Sequence, residues 1–500
     1  MNIVSFFSPR RRLEWVEGGE PLPDGRARPI SDVSWFGRKG AFLRPGVTTP
    51  RRRAQPRSRM AEGHRACAAR SVLDGGEHGA RLDQDGPHRE DEQATMNDTN
   101  LMQQALGLPP PWTVTTARFD AEAHRLDIEI DFAPGSRFAC PSCGAADCPA
   151  YDTERMTWRH LNFFQHQAYL NARVPRVRCE KCGVKKIAAP WARPDSGFTL
   201  LFEAMVMAMV SAMPVKAVAR IVGEHDTKLW RVVHHYVDEA RARADASGVT
   251  RVAIDETAAR RGHNYISLFV DIDQARVLFA AEGRDAATVA AFAEDLRAHR
   301  GAPEAVEEVC IDMSPAFIKG VADNLPKAAV TFDKFHAVKI INEAVDQVRR
   351  AEQKTKAALL RGTRYIWLRN PANLSERQKA TLDSLPTHHL KTARAYQIRL
   401  AFQDLYQQPS TQTATAFLKK WYFWATHCRL DPMIEAARTV KRHWDGILRW
   451  FDSKIANGLI EGVNSLVQAA KAKARGYRSM RNLKAIVYLL AGKLDLRLPA

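Results

Sequence analysis

Three acidic side chains, far apart along the chain, have the types and settings that divalent-metal chemistry requires. Asp255 follows the apolar run Val252-Ala253-Ile254 in RVAIDE, and Asp312 follows Val309-Cys310-Ile311 in VEEVCID. Each reads as a short buried strand that ends on a carboxylate. Glu461 sits in NGLIEGVNS, on a stretch that reads as a helix. A single strand-end aspartate is more often a cap or turn residue. Two of them together with a helical glutamate form a set able to hold Mg2+ (or Mn2+), because such hard cations prefer oxygen donors. Two ions about 4 Å apart would activate water or a 3′-hydroxyl and stabilise the charge developing on the leaving oxygen of a phosphodiester. In this reading Asp255 bridges the two ions, and Asp312 and Glu461 each complete one site.

A second constellation is built from sulfur. The chain has eight cysteines, too few for a disulfide framework in 500 residues, and four of them fall in Cys140-Pro141-Ser142-Cys143-Gly144 and Cys179-Glu180-Lys181-Cys182-Gly183. The two-residue spacing brings both sulfurs of a pair onto one metal, and the following glycine permits the tight turn. Four thiolates make a closed tetrahedral Zn2+ site, which is structural rather than catalytic. Cys148 or His160 is an alternative fourth ligand, and four ordinary core cysteines are the plain alternative to a metal site.

The net charge of +18, with a pI of about 9.7, points to a polyanionic partner. No stretch approaches the roughly 18 apolar residues of a membrane span, and MNIVSFFSPRRR has no basic segment ahead of its apolar residues. The expected location is therefore the cytoplasm, with no membrane partner.

These side chains must be positioned by several elements. Residues 1–95, rich in Arg, Gly and Pro, show no apolar period and read either as a disordered basic arm or as translated upstream DNA, with Met96 as the true start. Residues 96–190 read as a zinc-binding β module. Residues 198–245 read as a helix-turn-helix, with Pro214 opening one helix, Gly223 making the turn and Asp226 or Thr227 capping the next. The second helix presents Lys228, Arg231, His234 and His235 toward DNA, although an αα-hairpin with surface histidines would look the same. Residues 250–335 alternate strands and a helix. Two antiparallel hairpins follow the first strand, and the Asp312 strand returns parallel beside it, which brings Asp255 and Asp312 to one edge. Residues 336–450 read as a helical insertion whose Trp421, Trp424, Trp444 and Trp450 are packing residues. In residues 451–500, Leu459, Val463, Leu466 and Ala470 share one helix face, and Glu461, Asn464, Gln468 and Lys471 share another. Lys473, Arg475, Arg478 and Arg481, with Tyr477 among them, suit a DNA strand held beyond the acid.

The motifs CPSCG and CEKCG, PVKAVARIVG, VAIDE, CIDMSPAF, TFDKFH, and NGLIEGVN followed by KARGYRSMRNL stand in this order from about residue 96 to the end. In this the chain resembles the DDE transposases of the ISL-three group of bacterial insertion sequences. The resemblance implies a multidomain α+β chain with a ribonuclease-H-like catalytic domain, interrupted by a helical insertion before the glutamate. It implies Asp255, Asp312 and Glu461 as the catalytic acids, with Asp333 and His336 in the segment beside them. It also implies Mg2+-dependent cutting and joining of double-stranded DNA at terminal inverted repeats, by a homodimer or higher oligomer associated with the nucleoid. The extra N-terminal stretch and Glu224, at a turn position where an apolar residue is usual, depart from the pattern. A catalytically dead DNA-binding regulator of the same descent, and a structure-selective nuclease, are the competing readings.

Overall fold

The computed structural model describes residues 99–499 except 261, 263, 456 and 457. The stretch 1–95 and Met96 lie outside the described residues, as do the expectations attached to them.

The first layer is a sheet with strand order β1-β2-β5-β4-β3, formed by β1 (Trp112–Asp120), β2 (Arg125–Phe132), β3 (Arg137–Phe138), β4 (Cys148–Arg159) and β5 (Gln167–Cys179), with β6 (Gly183–Lys186) paired to β5. Alternation in β2 buries Leu126, Ile128 and Ile130 against Leu170, Ala172 and Val174 of β5. β4 was not among the strands expected from sequence. Most of its twelve residues are exposed, so it carries no apolar alternation, and pairing to β5 is what makes it a strand.

Three helices follow: α1 (Leu200–Ala212), α2 (Val215–Val222) and α3 (Asp226–Ala242). Gly223 makes the expected turn in the left-handed region, at φ 72° and ψ 29°. Leu229 packs fully buried between the helices, and Ala219 is buried beside it. Both helix starts differ from the expectation. Pro214 precedes the first turn of α2, and the His225 ring, rather than Asp226 or Thr227, caps α3 by accepting from the Thr227 N–H at 3.3 Å. One carboxylate keys the helices to the segment that leads into α1. Glu203 of α1 has no solvent exposure and accepts from Arg193 Nε (2.9 Å), Ser196 Oγ (2.6 Å) and Tyr236 OH of α3 (3.0 Å).

The second sheet contains β7 (Arg251–Ala258), β8 (Tyr265–Asp271), β9 (Arg276–Glu282), β10 (Glu308–Ile311) and β11 (Ala329–Phe332), in the order β11-β10-β7-β8-β9. β7, β8 and β9 form the two expected antiparallel hairpins, while β10 runs parallel to both β7 and β11. α4 (Ala286–Ala298) and α5 (Pro315–Asn324) pack on one face through Phe292 and Phe317, against Val252, Ile254, Val309 and Ile311. After β11 the chain enters α6 (Lys334–Gln353) and a helical body that includes α7 (Lys391–Gln403), α8 (Thr411–Thr426) and α9 (Asp431–Arg442). Trp421 is buried there as expected, but Trp424 is 41% exposed, on the outer side of α8. Gly446 lets this body close onto the sheet, since a Cβ there would collide with the Phe332 ring.

α10 (Gly458–Lys473) and α11 (Met480–Ala491) return to the opposite face, where Ala253 and Cys310 share a core with Ile460, Val463, Val467 and the α1–α3 helices. The buried stripe of α10 is therefore Ile460-Val463-Val467, and Leu466, expected inside, is 42% exposed. Hydrogen bonds from the neighbouring polar stripe to β7 set this rotation. Among the described residues, no helix is long and apolar enough to cross a membrane.

Candidate functional site

Strand register positions the aspartates. Val309 and Cys310 pair with Val252 and Ala253 on one side, and Cys310 and Ile311 pair with Thr331 and Phe332 on the other. The Asp333 N–H continues the ladder by donating to the Ile311 carbonyl at 3.1 Å. Extending that register sets Asp255, Asp312 and Asp333 in one row across three adjacent strands, with strands about 4.8 Å apart. They share the pleat face of Ala253 and Cys310, which is the face that α10 covers. Asp255 is not a strand end, as the sequence suggested. β7 continues to Ala258 against β8, and the edge arises because β10 stops at Ile311.

The polar stripe of α10 is laced to that strand. Asn464 Nδ2 donates to Asp255 Oδ2 at 2.7 Å, Gln468 Nε2 donates to Thr257 Oγ1 at 2.7 Å and to the Ala258 carbonyl, and Lys471 donates to the same carbonyl. The Glu256 N–H holds the other Asp255 oxygen at 2.8 Å, and the Ser314 N–H, at the head of α5, holds Asp312 Oδ1 at 2.9 Å. Asp333 is buried and accepts from His336 Nδ1 at 2.9 Å and from the His336 N–H at the start of α6. Glu461 lies one helical turn before Asn464 and is exposed.

The electrostatics tie these groups into one cluster. Burial pushes the Asp255 carboxyl up to about 6, and the charges of Asp312 and Asp333 add to this while His336 opposes it. Partial withdrawal from water also raises Glu461, and the charge of Asp333 raises it further while His336 and Lys334 oppose it. The Asp333 hydrogen bond raises His336 in turn. The acids are set wider than a single preformed cage. Among the described residues, only the four cysteines bring three or more ligand atoms within 4.8 Å of one another. The donor set nevertheless fits hard divalent cations: it offers carboxylate oxygens in one row, and Asn464 Oδ1 beside them is buried with no hydrogen-bond partner among the described residues.

The sulfur constellation is compact. Cys140, Cys143, Cys179 and Cys182 form the 4.8 Å cluster, with Cys143 Sγ 3.6 Å from Cys179 Sγ. The N–H groups of Cys182 and Lys181 point at the Cys179 sulfur and pull its thiol down to about 6, which favours the thiolate that a metal needs. Gly144 and Gly183 both lie at φ 72°, behind the two knuckles. Neither alternative ligand joins the cluster. Cys148 is turned toward the Ala145 carbonyl at 3.5 Å, and His160 Nδ1 is paired with Thr199 Oγ1 at 2.9 Å. The four-sulfur set fits Zn2+.

The basic side chains separate into engaged and free groups. Lys228 is exposed but paired with Glu224 at 2.9 Å, and Arg231 is exposed. His234 faces inward instead of toward a ligand: its Nε2 is 2.9 Å from Asn482 Oδ1 of α11, and burial lowers its pKa. Arg481 pairs with Asp238 of α3 at 3.1 Å, and Lys473 Nζ donates to the Ala212 carbonyl at 3.0 Å. Arg475 and Arg478 are exposed and, among the described residues, form no ion pair. Lys216 and Arg220 of α2 line the same cleft as these two and were not singled out as DNA-binding residues in the sequence.

Comparison with known proteins fits this arrangement. Residues 136–182 match the "zinc-finger of transposase IS204/IS1001/IS1096/IS1165", residues 187–237 match the "Helix-turn-helix domain of transposase family ISL3", and residues 252–487 match the ISL3 DDE family described as "Transposase". The transposase for insertion sequence element IS1557 of Mycobacterium tuberculosis is 30% identical over 370 residues, which is 67% of this chain and 81% of that protein. The chain belongs to the ISL3 family of transposases. The transposase for insertion sequence element IS1001 of Bordetella parapertussis is 29% identical over 356 residues, 68% of this ISL3-family chain and 85% of that one. The four cysteines fall within the zinc-finger match, and all three acids fall within the DDE match. What sequence reasoning lacked was a role for Asn464. It was visible on the polar stripe, but only the docking of α10 onto β7 aims it at Asp255.

Proposed function

We propose that this ISL3-family chain binds the terminal inverted repeats of an insertion sequence and carries out metal-dependent strand cleavage and strand transfer. The catalytic sheet is ribonuclease-H-like in this reading, with Asp255, Asp312 and Glu461 as the catalytic acids. The observation that carries it is the shared register of Asp255 and Asp312 on adjacent parallel strands, under a helix that bonds Asp255 through Asn464 and carries Glu461 one turn away.

Asp255, central in the row, would hold both of two divalent cations, with Asp312 and Glu461 each completing one coordination shell. Cations so held supply Lewis-acid activation of water or a 3′-hydroxyl and neutralise charge on the leaving oxygen. Asn464 and the Glu256 N–H fix the two Asp255 oxygens in orientation, and His336 does the same for Asp333. The zinc ribbon, with Cys140, Cys143, Cys179 and Cys182 as its ligands, and the helix-turn-helix, through Lys228 and Arg231, would grip the repeat. Joining two ends requires at least two copies of the chain on DNA.

The test is strand cleavage of a labelled element end with Mg2+ or with EDTA. Wild-type protein should cut only with the metal, and Asp255→Asn should lose cutting while retaining end binding. Binding without cutting by the wild type would favour a catalytically inactive regulator, and cutting retained by Asp255→Asn would refute the assignment.

A further inference from the structure

The helix-turn-helix meets the stretch after Glu461 through pairs 248 and 261 residues apart in sequence, His234–Asn482 and Ala212–Lys473, and the two build one cleft. The cleft, of about 630 Å³, lies between α2–α3 and the loop that joins α10 to α11. Lys216 and Arg220 project from α2 on one side, and Lys473, Arg475 and Arg478 line the other. All five are exposed. Among the described residues, Lys216, Arg220, Arg475 and Arg478 take part in no ion pair, although twenty-eight such pairs occur elsewhere. The carboxylate in the wall, Asp226, is 3.4 Å from the His225 ring. Four uncompensated cations facing one another across a cleft repel, and they are stable there only because water, or an anion, screens them.

The cleft is held open by construction. Lys473 reaches the Ala212 carbonyl at the end of α1, and His234 bonds Asn482. The Trp230 ring of α3 meets the Tyr477 ring edge-on at 6.2 Å, forming an aromatic floor. The loop is turned back by Arg475 and Gly476 at φ 57° and 93°, with the Gly476 N–H on the Lys471 carbonyl at 2.8 Å. A rigid trough with cations on both rims and aromatic rings at its base matches a sugar–phosphate backbone, whose charges recur along a line. Its distance from the acids is set by one helix. From Glu461 to Lys473 is twelve residues of α10, or about 18 Å at 1.5 Å each, and that is about five phosphates of one strand at 3.4 Å.

We propose that this cleft grips the DNA backbone about five nucleotides from the bond held at the acids, so that the helix-turn-helix and the catalytic helix α10 read one continuous strand. This deepens the reading given under Proposed function and rests on it for the identity of the nucleic acid. The helix-turn-helix would then bind DNA partly through its first helix, α2, rather than through the middle of α3, which α11 occupies.

The test measures binding of the full-length protein to a short fluorescein-labelled duplex, by anisotropy across a salt series. In Lys216→Ser/Arg220→Ser, and separately in Arg475→Ser/Arg478→Ser, affinity should fall on the order of tenfold, and the slope of log K against log salt should drop by about 1.8, the value for two lost phosphate contacts. Arg475→Lys/Arg478→Lys should keep the slope. Lys419→Ser/Lys420→Ser removes the same charge from the exposed side of α8 and should behave as wild type. Thermal melts confirm that each variant is folded. Equal slopes in wild type and both cleft variants would overturn the cleft and leave the transposase reading standing. Wild-type protein that binds no DNA at all would overturn both. Competition by unlabelled single strand separates a single-strand grip from a duplex grip, and a cleft variant that lost neither would contradict the proposal.

Discussion

At the scale of single residues, the site depends on how Asp255 is held. Its carboxylate has one side-chain donor, Asn464, and one backbone donor, and burial already disfavours its charge. Replacing Asn464 with Ala should leave fold and DNA binding intact. Cleavage or metal affinity should fall about 10- to 100-fold, the usual cost of losing a residue that orients a ligand. Single-turnover cleavage measured against Mg2+ concentration checks this, and an unchanged metal dependence would remove Asn464 from the account. Asp255 and Asp312 stand out in the sequence because apolar runs ending on carboxylates are local patterns, and Glu461 because NGLIEGVNS reads as a helix with a polar stripe; their joint catalytic role is the proposal. His234 was misread for the complementary reason: the periodicity of α3 shows which face is polar, but not that Asn482, 248 residues later, covers it.

At the scale of elements, buried polar keys join segments that packing alone would leave loose. Glu203 holds α1, α3 and the segment carrying Arg193 and Ser196. Glu203→Ala leaves the half-buried Arg193 and the buried Ser196 and Tyr236 hydroxyls without their acceptor and should cost roughly 3 kcal/mol, read as a drop in chemical-denaturation midpoint. Nearby, His160 bonds Thr199, the cap of α1, and burial with the Arg159 charge depresses its pKa to about 4. The unfolded chain takes up the proton near pH 6.5 and the folded chain does not. The contribution of His160 is therefore complete above pH 6.5 and is lost as pH falls toward 4, by on the order of 3 kcal/mol. In His160→Gln the melting temperature should fall less steeply over that window than in wild type. β7, β10 and the turn at Gly223 could be read in advance because each carries a local signature. β4 could not, since its exposed, polar residues become a strand only through β5. The rotation of α10 was also hidden: its polar stripe bonds to β7 and Leu466 stays exposed, a docking that the helix's own period does not reveal.

At the scale of the whole molecule, the zinc ribbon and the acidic row are proposed as independent metal centres, and they should then fail separately. Stripping Zn2+ with a chelator, or replacing Cys179 with Ser, should release one zinc per chain and unfold the β module with loss of end binding. It should not abolish Mn2+ uptake at the acids. Zinc release followed by a thiol-reactive dye, alongside circular dichroism, reads both effects. The measurement that reaches the central claim most directly is a count of Mn2+ bound per chain, by electron paramagnetic resonance, in the presence of a DNA end. Wild type should bind two ions about 4 Å apart with exchange-coupled signals. Asp312→Asn and Glu461→Gln should each retain one, and Asp255→Asn should retain neither. Two coupled ions still bound in Glu461→Gln would mean that the glutamate is no ligand, and the proposed three-acid centre would be contradicted.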